Sequence, residues 1–279
     1  MKKMHHLYLL LLLVPAISFS CKKDETLTPP QNPPINPVSG VLLKDVVIPL
    51  LPSPYYHFEY GTDGKPSGAS FASGLYIYDI LYSGDRINEM KSNIALLQFA
   101  QQYTYDNTGK VSMIGYINAA GEMYRRIYFT YNGQKLFKAE RQVKTDSGFV
   151  AEKKTFFNYR TDGNLFEKLV HRLPIPAAGQ TEIVYSEWFD QYDDKINTDD
   201  FSLLHDEFFD HLILLPGVQF WKNNPLRLTH IGNDINYIID YTYTYNDKNA
   251  PLVKTGNLLW LSGADSGKRF EEKTFYSYY

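Results

Sequence analysis

The chain has 279 residues and a high aromatic content, with 23 Tyr, 17 Phe and 3 Trp. Glycine and proline occur at ordinary frequencies and apolar residues make up 44%, which excludes a collagen-like or broadly disordered chain. The formal net charge of -3 argues against nucleic-acid binding, because no excess of Lys and Arg is present to hold a phosphate backbone.

Residues 1–20 have the layout of a secretory signal peptide. Lys2 and Lys3 form a basic start, the run from Leu7 to Val14 is apolar, and residues of small or moderate size continue to Ser20. The apolar run is too short to cross a bilayer, which takes about 20 helical residues. Cys21 follows directly and is the only cysteine in the chain.

Residues 17–21, Ile-Ser-Phe-Ser-Cys, resemble a bacterial lipobox, although Phe19 replaces the usual small residue at its position. The resemblance implies cleavage before Cys21 and lipidation of that residue. Acyl chains on Cys21 would anchor a domain to a membrane, since each buried CH2 contributes about 0.8 kcal/mol. The alternative, a secretory signal with an unmodified cysteine, leaves the position of Cys21 unexplained.

The segment after the cysteine predicts a tether. Residues 21–25, Cys-Lys-Lys-Asp-Glu, resemble the start of many Bacteroidota lipoproteins, in which such residues direct export to the cell surface. Five prolines lie between Thr26 and Gly40, as is typical of a semi-rigid polyproline spacer. We therefore expect a lipidated cysteine and tether over residues 21–40, and an outer-membrane lipoprotein exposed at the cell surface.

Residues 41–279 predict a single antiparallel β domain built from a loose repeat. Each copy has a strand that ends in an aromatic residue and is followed by a polar turn, as in Tyr60-Gly-Thr-Asp-Gly-Lys. Asn, Asp and Gly tolerate the positive φ angles of tight hairpin turns. The clearest copies begin at Tyr60, Tyr105 and Tyr159, and weaker ones follow Tyr82, Tyr131, Phe189 and Tyr245.

The strands between these turns alternate in polarity. In residues 237–245 the Tyr and Ile at odd positions share one face, and Asp240, Thr242 and Thr244 share the other. This pattern indicates half-buried antiparallel strands. The predicted fold is all-β with minor α content: a large curved antiparallel meander of repeated hairpins, open or closed into a barrel.

One helix is predicted near residues 199–215. Asp199 and Asp200 suit a helix N-terminus, Phe201, Leu204 and Phe208 begin an apolar stripe at helical spacing, and the sequence Pro-Gly at 216–217 ends it. We expect this helix to pack on the concave face of the sheet or to plug an opening.

The tyrosine-ended strands with Asp/Asn-x-x-Gly turns resemble RHS (YD-type) repeats. Together with the lipobox, the proline tether and the Asn-Pro segment at 224–225, they resemble an uncharacterised Bacteroidota surface lipoprotein family. The resemblance implies a large, barrel-like antiparallel β fold and no assigned activity. Lys65, Lys110 and Asn164 stand where RHS repeats usually carry Arg, which argues against a toxin-enclosing shell.

The sequence offers no catalytic motif. Residues 263–269 resemble a phosphate-binding loop only superficially, and we interpret them as a hairpin turn. The His and acidic residues at 205–211 are interpreted as the solvated face of the helix, and the aspartates at 190–200 as a solvated acidic loop and helix N-terminus. No catalytic residue, metal site or cofactor is therefore predicted.

Aromatic side chains are the remaining candidates for ligand binding. Trp188, Trp221 and Trp260 could form a platform for a glycan, because aromatic rings combine an apolar face with a polar edge. The alternative is core packing on a large sheet. Trp221 is the strongest candidate, because Lys222 and Asn223 beside it can donate hydrogen bonds from a predicted loop.

Three functions follow from these features. The first is a non-enzymatic binding module, held to the membrane through lipid on Cys21, whose partner is a glycan or an envelope protein. The second is a glycan-active hydrolase with dispersed carboxylates, which would need a cleft with two facing acids of raised pKa. The third is a structural, outer-membrane-associated β-barrel. An integral barrel is disfavoured by Glu271 and Lys273, which share one face of the last strand and would meet lipid there.

Overall fold

The structure is a computed structural model that describes residues 40–94, 98–175, 179–205, 210–233 and 235–279. Within these residues, sixteen antiparallel strands form a closed barrel. Each strand pairs with its neighbours in the chain, and β1 pairs with β16 to close the ring. The strands are β1 (Leu43–Val47), β2 (Tyr56–Tyr60), β3 (Pro66–Phe71), β4 (Tyr76–Ser83), β5 (Arg86–Ser92), β6 (Phe99–Tyr105), β7 (Val111–Asn118), β8 (Met123–Asn132), β9 (Lys135–Thr145), β10 (Gly148–Tyr159), β11 (Leu165–Arg172), β12 (Ile183–Tyr192), β13 (Pro225–Gly232), β14 (Asn236–Tyr245), β15 (Pro251–Trp260) and β16 (Arg269–Tyr278).

The all-β prediction is confirmed, and the meander closes into a barrel. The alternation predicted for residues 237–245 places Ile239 in the barrel interior, whereas Asp240, Thr242 and Thr244 are exposed on the outside. The predictions for the signal peptide, Cys21 and the tether concern residues 1–39, which lie outside the described part of the chain.

The repeated turns lie together at one end of the barrel, which we call the tyrosine end. In the hairpins described there, the strand register often shifts at the aromatic anchor, because the strand after the turn carries one extra residue, a β-bulge, opposite the tyrosine. The tyrosine itself follows the alternation of its own strand and faces the barrel interior. The tyrosines that lie opposite such a bulge are Tyr60, Tyr82, Tyr105, Tyr131, Tyr159 and Tyr245.

Tyrosine hydroxyls connect neighbouring hairpins at this end. Tyr82 Oη donates to the carbonyl of Pro66 at 2.8 Å, and Pro66 is itself the register partner of Tyr60 in the preceding hairpin. The Tyr82 bond thus satisfies a carbonyl where the sheet register is interrupted. The same contact joins Tyr60 to Leu43, Tyr105 to Ile87, Tyr131 to Val111, Tyr192 to Leu165, Tyr243 to Pro225 and Tyr278 to Pro251.

The connection between β12 and β13 folds back into the barrel. We call residues 193–205 and 210–224 the plug. Its apolar side chains are buried against the barrel wall: Phe201 contacts Tyr56 with ring centroids 5.0 Å apart, and Phe220 contacts Phe157 at 4.8 Å. Leu212 is completely buried. The plug and the inward face of the barrel therefore form one hydrophobic core.

The helix predicted near 199–215 is much shorter than expected. Asp200–Leu204 form a 3-10 helix, and residues 205 and 210–215 are not helical. The barrel wall supplies the hydrogen bonds that a helix would make internally: Gln101 Nε2 donates to the Leu212 carbonyl at 2.9 Å, and Tyr103 Oη to the Leu214 carbonyl at 2.9 Å. A backbone satisfied by surrounding side chains has no need of an α-helix.

The prediction that the His and Asp side chains of this segment face solvent is wrong for four of them. Asp199, Asp200, His205 and His211 are all buried, because the plug is surrounded by the barrel. Of the predicted acidic loop, Asp190 and Asp194 are exposed.

The outside of the barrel carries charged side chains along its strands. Arg227 on β13 pairs with Asp240 on β14 at 2.6 Å, and Lys273 pairs with Glu271 on β16 at 2.9 Å. On the opposite side of the barrel, Arg126 Nε on β8 donates to Gln142 on the neighbouring strand β9 at 2.9 Å. In the described part of the chain, no helix has the length and apolarity needed to cross a membrane.

Candidate ligand-binding cavity

A cavity of about 270 Å³ lies inside the barrel, between the plug and the strands from β11 to β16. Its wall combines aromatic rings, amides and charged groups. The plug contributes Asn197, Asp199, Ser202, Leu203, Trp221 and Asn224, and the strands contribute Lys168, Glu187, Phe189, Pro225, Leu228, Tyr241, Tyr243, Lys254 and Tyr276. The volume is near the lower end of the range of about 300–1,000 Å³ that is common for small-molecule sites.

A first ion pair joins the plug to the barrel wall within this cavity. Lys254 Nζ lies 2.9 Å from Asp199 Oδ2, and Tyr276 Oη donates to the same oxygen at 2.8 Å. Burial alone would lower the pKa of Lys254, but the Asp199 carboxylate more than offsets this and raises it above its usual value. The Lys254 ammonium, held over the Tyr241 ring at 5.6 Å, is therefore charged at neutral pH.

A second ion pair lies further along the wall. Lys168 Nζ is 3.1 Å from Glu187 Oε2, and His230 Nδ1 is 3.6 Å from Glu187 Oε1. Burial would raise the pKa of Glu187, but Lys168 and His230 outweigh it and hold the pKa below its usual value. Both carboxylates of the cavity thus face a cation, and neither ion pair adds net charge.

Beyond the cavity lining, inward-facing side chains of β13, β14 and β15 continue toward the end of the barrel opposite the tyrosine end. His230 stacks on Tyr237 with ring centroids 4.6 Å apart, and Tyr237 contacts Trp260 edge to face at 5.4 Å. The Glu272 side chain lies beside Gly256 on the inward face of the barrel wall, and it is nevertheless exposed to solvent. Solvent therefore reaches the interior from this end, which we call the mouth.

The tyrosine end is closed by hydrogen bonds between the two legs of the plug and the wall. Asp193 N donates to the Asn224 carbonyl at 3.1 Å, and Asn224 Nδ2 returns a bond to Asp193 at 3.1 Å. Asn164, in the turn between β10 and β11, accepts from the backbone of Lys222 at 2.8 Å. Asn224 is completely buried.

The three tryptophans predicted to form a platform occupy different places. Trp221 is buried in the plug and lines the cavity against Phe189. Trp260 is half-buried at the mouth. Trp188 lies on the outer surface, where its Nε1 donates to Glu167 at 2.9 Å, so it does not join the other two. Trp221 and Trp260 both face the barrel interior, but only Trp221 lines the cavity.

The charged residues of the cavity were not predicted as site residues. A signal for them is present in the strand alternation: Glu187 stands between Tyr185 and Phe189, and Lys168 stands two residues from Val170. A charged side chain on the apolar face of a strand must be paired when buried. Asp199 carried no such signal, because it was assigned to a helix end.

The carboxyl groups do not form a hydrolytic pair. Burial raises the pKa of Asp200 to about 7, but this side chain accepts the backbone N–H of Phe220 and is not part of the cavity wall. Glu187 has a lowered pKa instead. Among the described side chains, no group of three or more His, Cys, Asp or Glu is arranged to hold a metal ion.

The barrel is similar to two solved structures described as porin-like proteins. The protein from Bacteroides uniformis ATCC 8492 aligns with a TM-score of 0.55 and 13% sequence identity, over 86% of this chain and 95% of that chain. The protein from Bacteroides vulgatus ATCC 8482 aligns with a TM-score of 0.54 and 15% identity, over 85% of this chain and 99% of that chain. At these identities the likeness shows the fold.

No family model matches the chain, and no curated protein matches its sequence. The barrel-like antiparallel fold that the sequence resemblance implied is confirmed. The RHS-like repeat and the surface lipoprotein family remain predictions.

Proposed function

We propose that this protein is a non-enzymatic binding module, held at the outer membrane by lipid on Cys21, which takes a glycan unit into the cavity of its barrel. The observation that carries the proposal is the wall of that cavity. It presents two fixed ion pairs beside aromatic rings, and the barrel interior beyond it is open to solvent at the mouth.

The first ion pair suits the chemistry of a sugar. One hydroxyl of a vicinal diol can donate to the Asp199 carboxylate while its neighbour accepts from the Lys254 ammonium, and both groups are already in place. Tyr241 and Trp221 offer apolar ring surface to the C–H face of the sugar ring. Because both ion pairs are internally neutral, the cavity favours an uncharged polyhydroxylated ligand.

The point where the chain enters the barrel supports display on a membrane. The carbonyl of Gly40 accepts from Lys248 Nζ at 2.9 Å in the turn between β14 and β15, which belongs to the tyrosine end. A tether over residues 21–40 would therefore join the closed end, and the mouth would point away from the anchored lipid. The charged pairs on the outer strand faces favour an aqueous location, since Arg or Lys at a bilayer midplane costs about 2–4 kcal/mol.

The test is calorimetric titration of the full-length lipoprotein, purified in detergent, with a panel of soluble glycans. We expect heat of binding with at least one glycan, and a loss of at least tenfold in affinity in the Trp260→Ala variant. Trp188→Ala is the matched control, because Trp188 is exposed on the outer surface and should leave affinity unchanged.

A panel without binding would contradict the glycan proposal and would redirect the search to an envelope protein, sought by crosslinking on intact cells. Release of shorter sugars during incubation, followed by chromatography, would instead identify a hydrolase. Equal loss of affinity in both tryptophan variants would move the site out of the cavity.

A further inference from the structure

Among the described residues, the interior of the barrel around the cavity is closed at the tyrosine end and open to solvent at the mouth. At the tyrosine end the legs of the plug are bonded to each other by Asp193 and Asn224, and to the wall by Asn164. The side chains packed there, including Leu165 and Asn224, have no exposed surface. At the mouth, by contrast, Trp260 is half-buried and the inward-facing Glu272 is exposed.

The size of the cavity limits what can pass inside. A volume of about 270 Å³ is below the usual range for drug-sized ligands, and the plug residues Ser202 and Leu203 form part of the cavity wall. Successive inward residues of a strand are about 7 Å apart, so Tyr185 at the mouth lies one such step from Glu187 in the cavity. A ligand of about one sugar ring suits this volume, and the rings of Tyr237 and Trp260 lie beyond the cavity toward the mouth.

We infer that the cavity binds the terminal unit of a glycan chain and excludes internal units. This inference rests on the proposed function. A chain bound through an internal unit must leave the site in two directions, and the plug blocks the second direction. A chain end enters through the mouth, places its last ring against the Lys254–Asp199 pair and lays the next ring on the aromatic side chains of the mouth.

The experiment compares intact polysaccharides with the same material cut to a shorter mean length. Pullulan, laminarin, inulin and xylan would each be titrated into the detergent-purified full-length protein before and after partial acid hydrolysis. If chain ends are bound, the protein bound per gram of glycan at saturation rises in proportion to the number of chain ends. Binding in which this amount stays the same or falls would overturn the inference and leave the proposed function standing, whereas no binding in any sample would overturn the proposed function.

A pair of variants ties the result to the cavity. Ser202→Phe adds a ring to the plug side of the cavity wall. Tyr241→Phe removes only a hydroxyl, so a folding defect in the first variant does not decide the question. We expect both to weaken binding of the hydrolysed glycan, the first by at least tenfold, with circular dichroism unchanged for the second. End-dependent binding that neither folded variant affects would overturn the assignment to this cavity.

Discussion

Tyr131 donates its hydroxyl hydrogen to the carbonyl of Val111 at 2.9 Å, across the boundary between two hairpins. Val111 is the register partner of Tyr105, whose own hydroxyl reaches back to Ile87 in the same way. A cation covers the ring as well, with Lys110 Nζ at 5.6 Å from its centroid. At Tyr82, Tyr105 and Tyr131 the aromatic anchor of the turn is thus a link between neighbouring hairpins, through a hydroxyl that phenylalanine lacks.

Replacing Tyr131 by Phe should lower the free energy of unfolding by about 1–2 kcal/mol, because the buried Val111 carbonyl loses its partner. Tyr159 provides the control. It occupies the equivalent position opposite a bulge, but its buried hydroxyl has no hydrogen-bond partner among the described residues, so Tyr159→Phe should cost nothing or stabilise. Thermal and urea unfolding would measure both, and equal losses would refute the role of the hydroxyl bond.

Lys168→Met should destabilise the barrel strongly, by about 3–5 kcal/mol at neutral pH, because Glu187 would remain charged and buried without its main partner. In the wild type, the pKa of Glu187 is lower in the folded chain than in the unfolded chain. The ion pair therefore stabilises the fold at pH values above the ordinary pKa of a glutamate, and this contribution is lost as the pH falls through the folded-state pKa. The deficit of the variant should therefore shrink toward pH 4, where the carboxyl group can take up a proton.

Lys273→Met is the matched surface control. Lys273 pairs with Glu271 on the exposed face of β16, where the loss of an ion pair should cost no more than about 1 kcal/mol. A similar cost for the two lysines in urea unfolding would argue that the Lys168–Glu187 pair is not desolvated.

Asp200→Asn should change how stability depends on pH. Burial raises the pKa of Asp200 to about 7, so between about pH 4 and pH 7 the folded chain holds a proton that the unfolded chain has released. The contribution of this group to stability therefore falls as the pH rises through that window and stays low above it. The asparagine does not titrate, and its side-chain oxygen can still accept from Phe220 N.

Relative to the wild type, the Asp200→Asn protein should gain up to roughly 4 kcal/mol between pH 4 and pH 8. The difference between the two proteins isolates this group from His211, whose pKa burial lowers to about 3 and whose effect runs in the opposite direction with pH. Denaturant unfolding at several pH values measures it. A constant difference would show that Asp200 is ionised in the fold.

Gly256→Ala should destabilise the wall near the mouth by about 1–3 kcal/mol. A Cβ atom there would lie 2.8 Å from Glu272 Cγ and 2.9 Å from the buried Ile239 Cγ2. Gly68→Ala is the control, because its Cβ would approach Glu59 Oε2 at 3.0 Å, at the end of an exposed side chain that can move away. Thermal unfolding compares them, and a smaller loss for Gly256→Ala would mean that the wall adapts there.

The repeat of tyrosine and polar turn was sufficient to predict the class of fold, because period-two alternation and turn residues act locally. The path of the plug could not be read in this way. Phe201, Leu204 and Phe208 have helical spacing, yet the backbone at Leu212 and Leu214 is satisfied by Gln101 and Tyr103, more than 100 residues away in the sequence. A backbone conformation that depends on hydrogen-bond partners from β6 leaves no signal in the local sequence.

The candidate site was predictable only in part for the same reason. The sequence indicated Trp221 and Trp260 as aromatic side chains that could bind a ligand. Whether each one faces the barrel interior depends on the strand register and on the path of the plug. Lys254 and Asp199 are 55 residues apart and meet only once the barrel is closed around the plug.

The closure of β1 on β16 places the backbone N–H of Tyr279 3.0 Å from the carbonyl of Leu42. A short linker could join these two positions, and the barrel could be opened instead in the exposed turn at Ala119 and Ala120 on the opposite end. Such a circular permutant would keep every strand pair while moving the attachment point from the closed end to the side of the mouth. The direction in which the cavity faces is therefore set by where the barrel is attached and is separable from the architecture that builds the cavity.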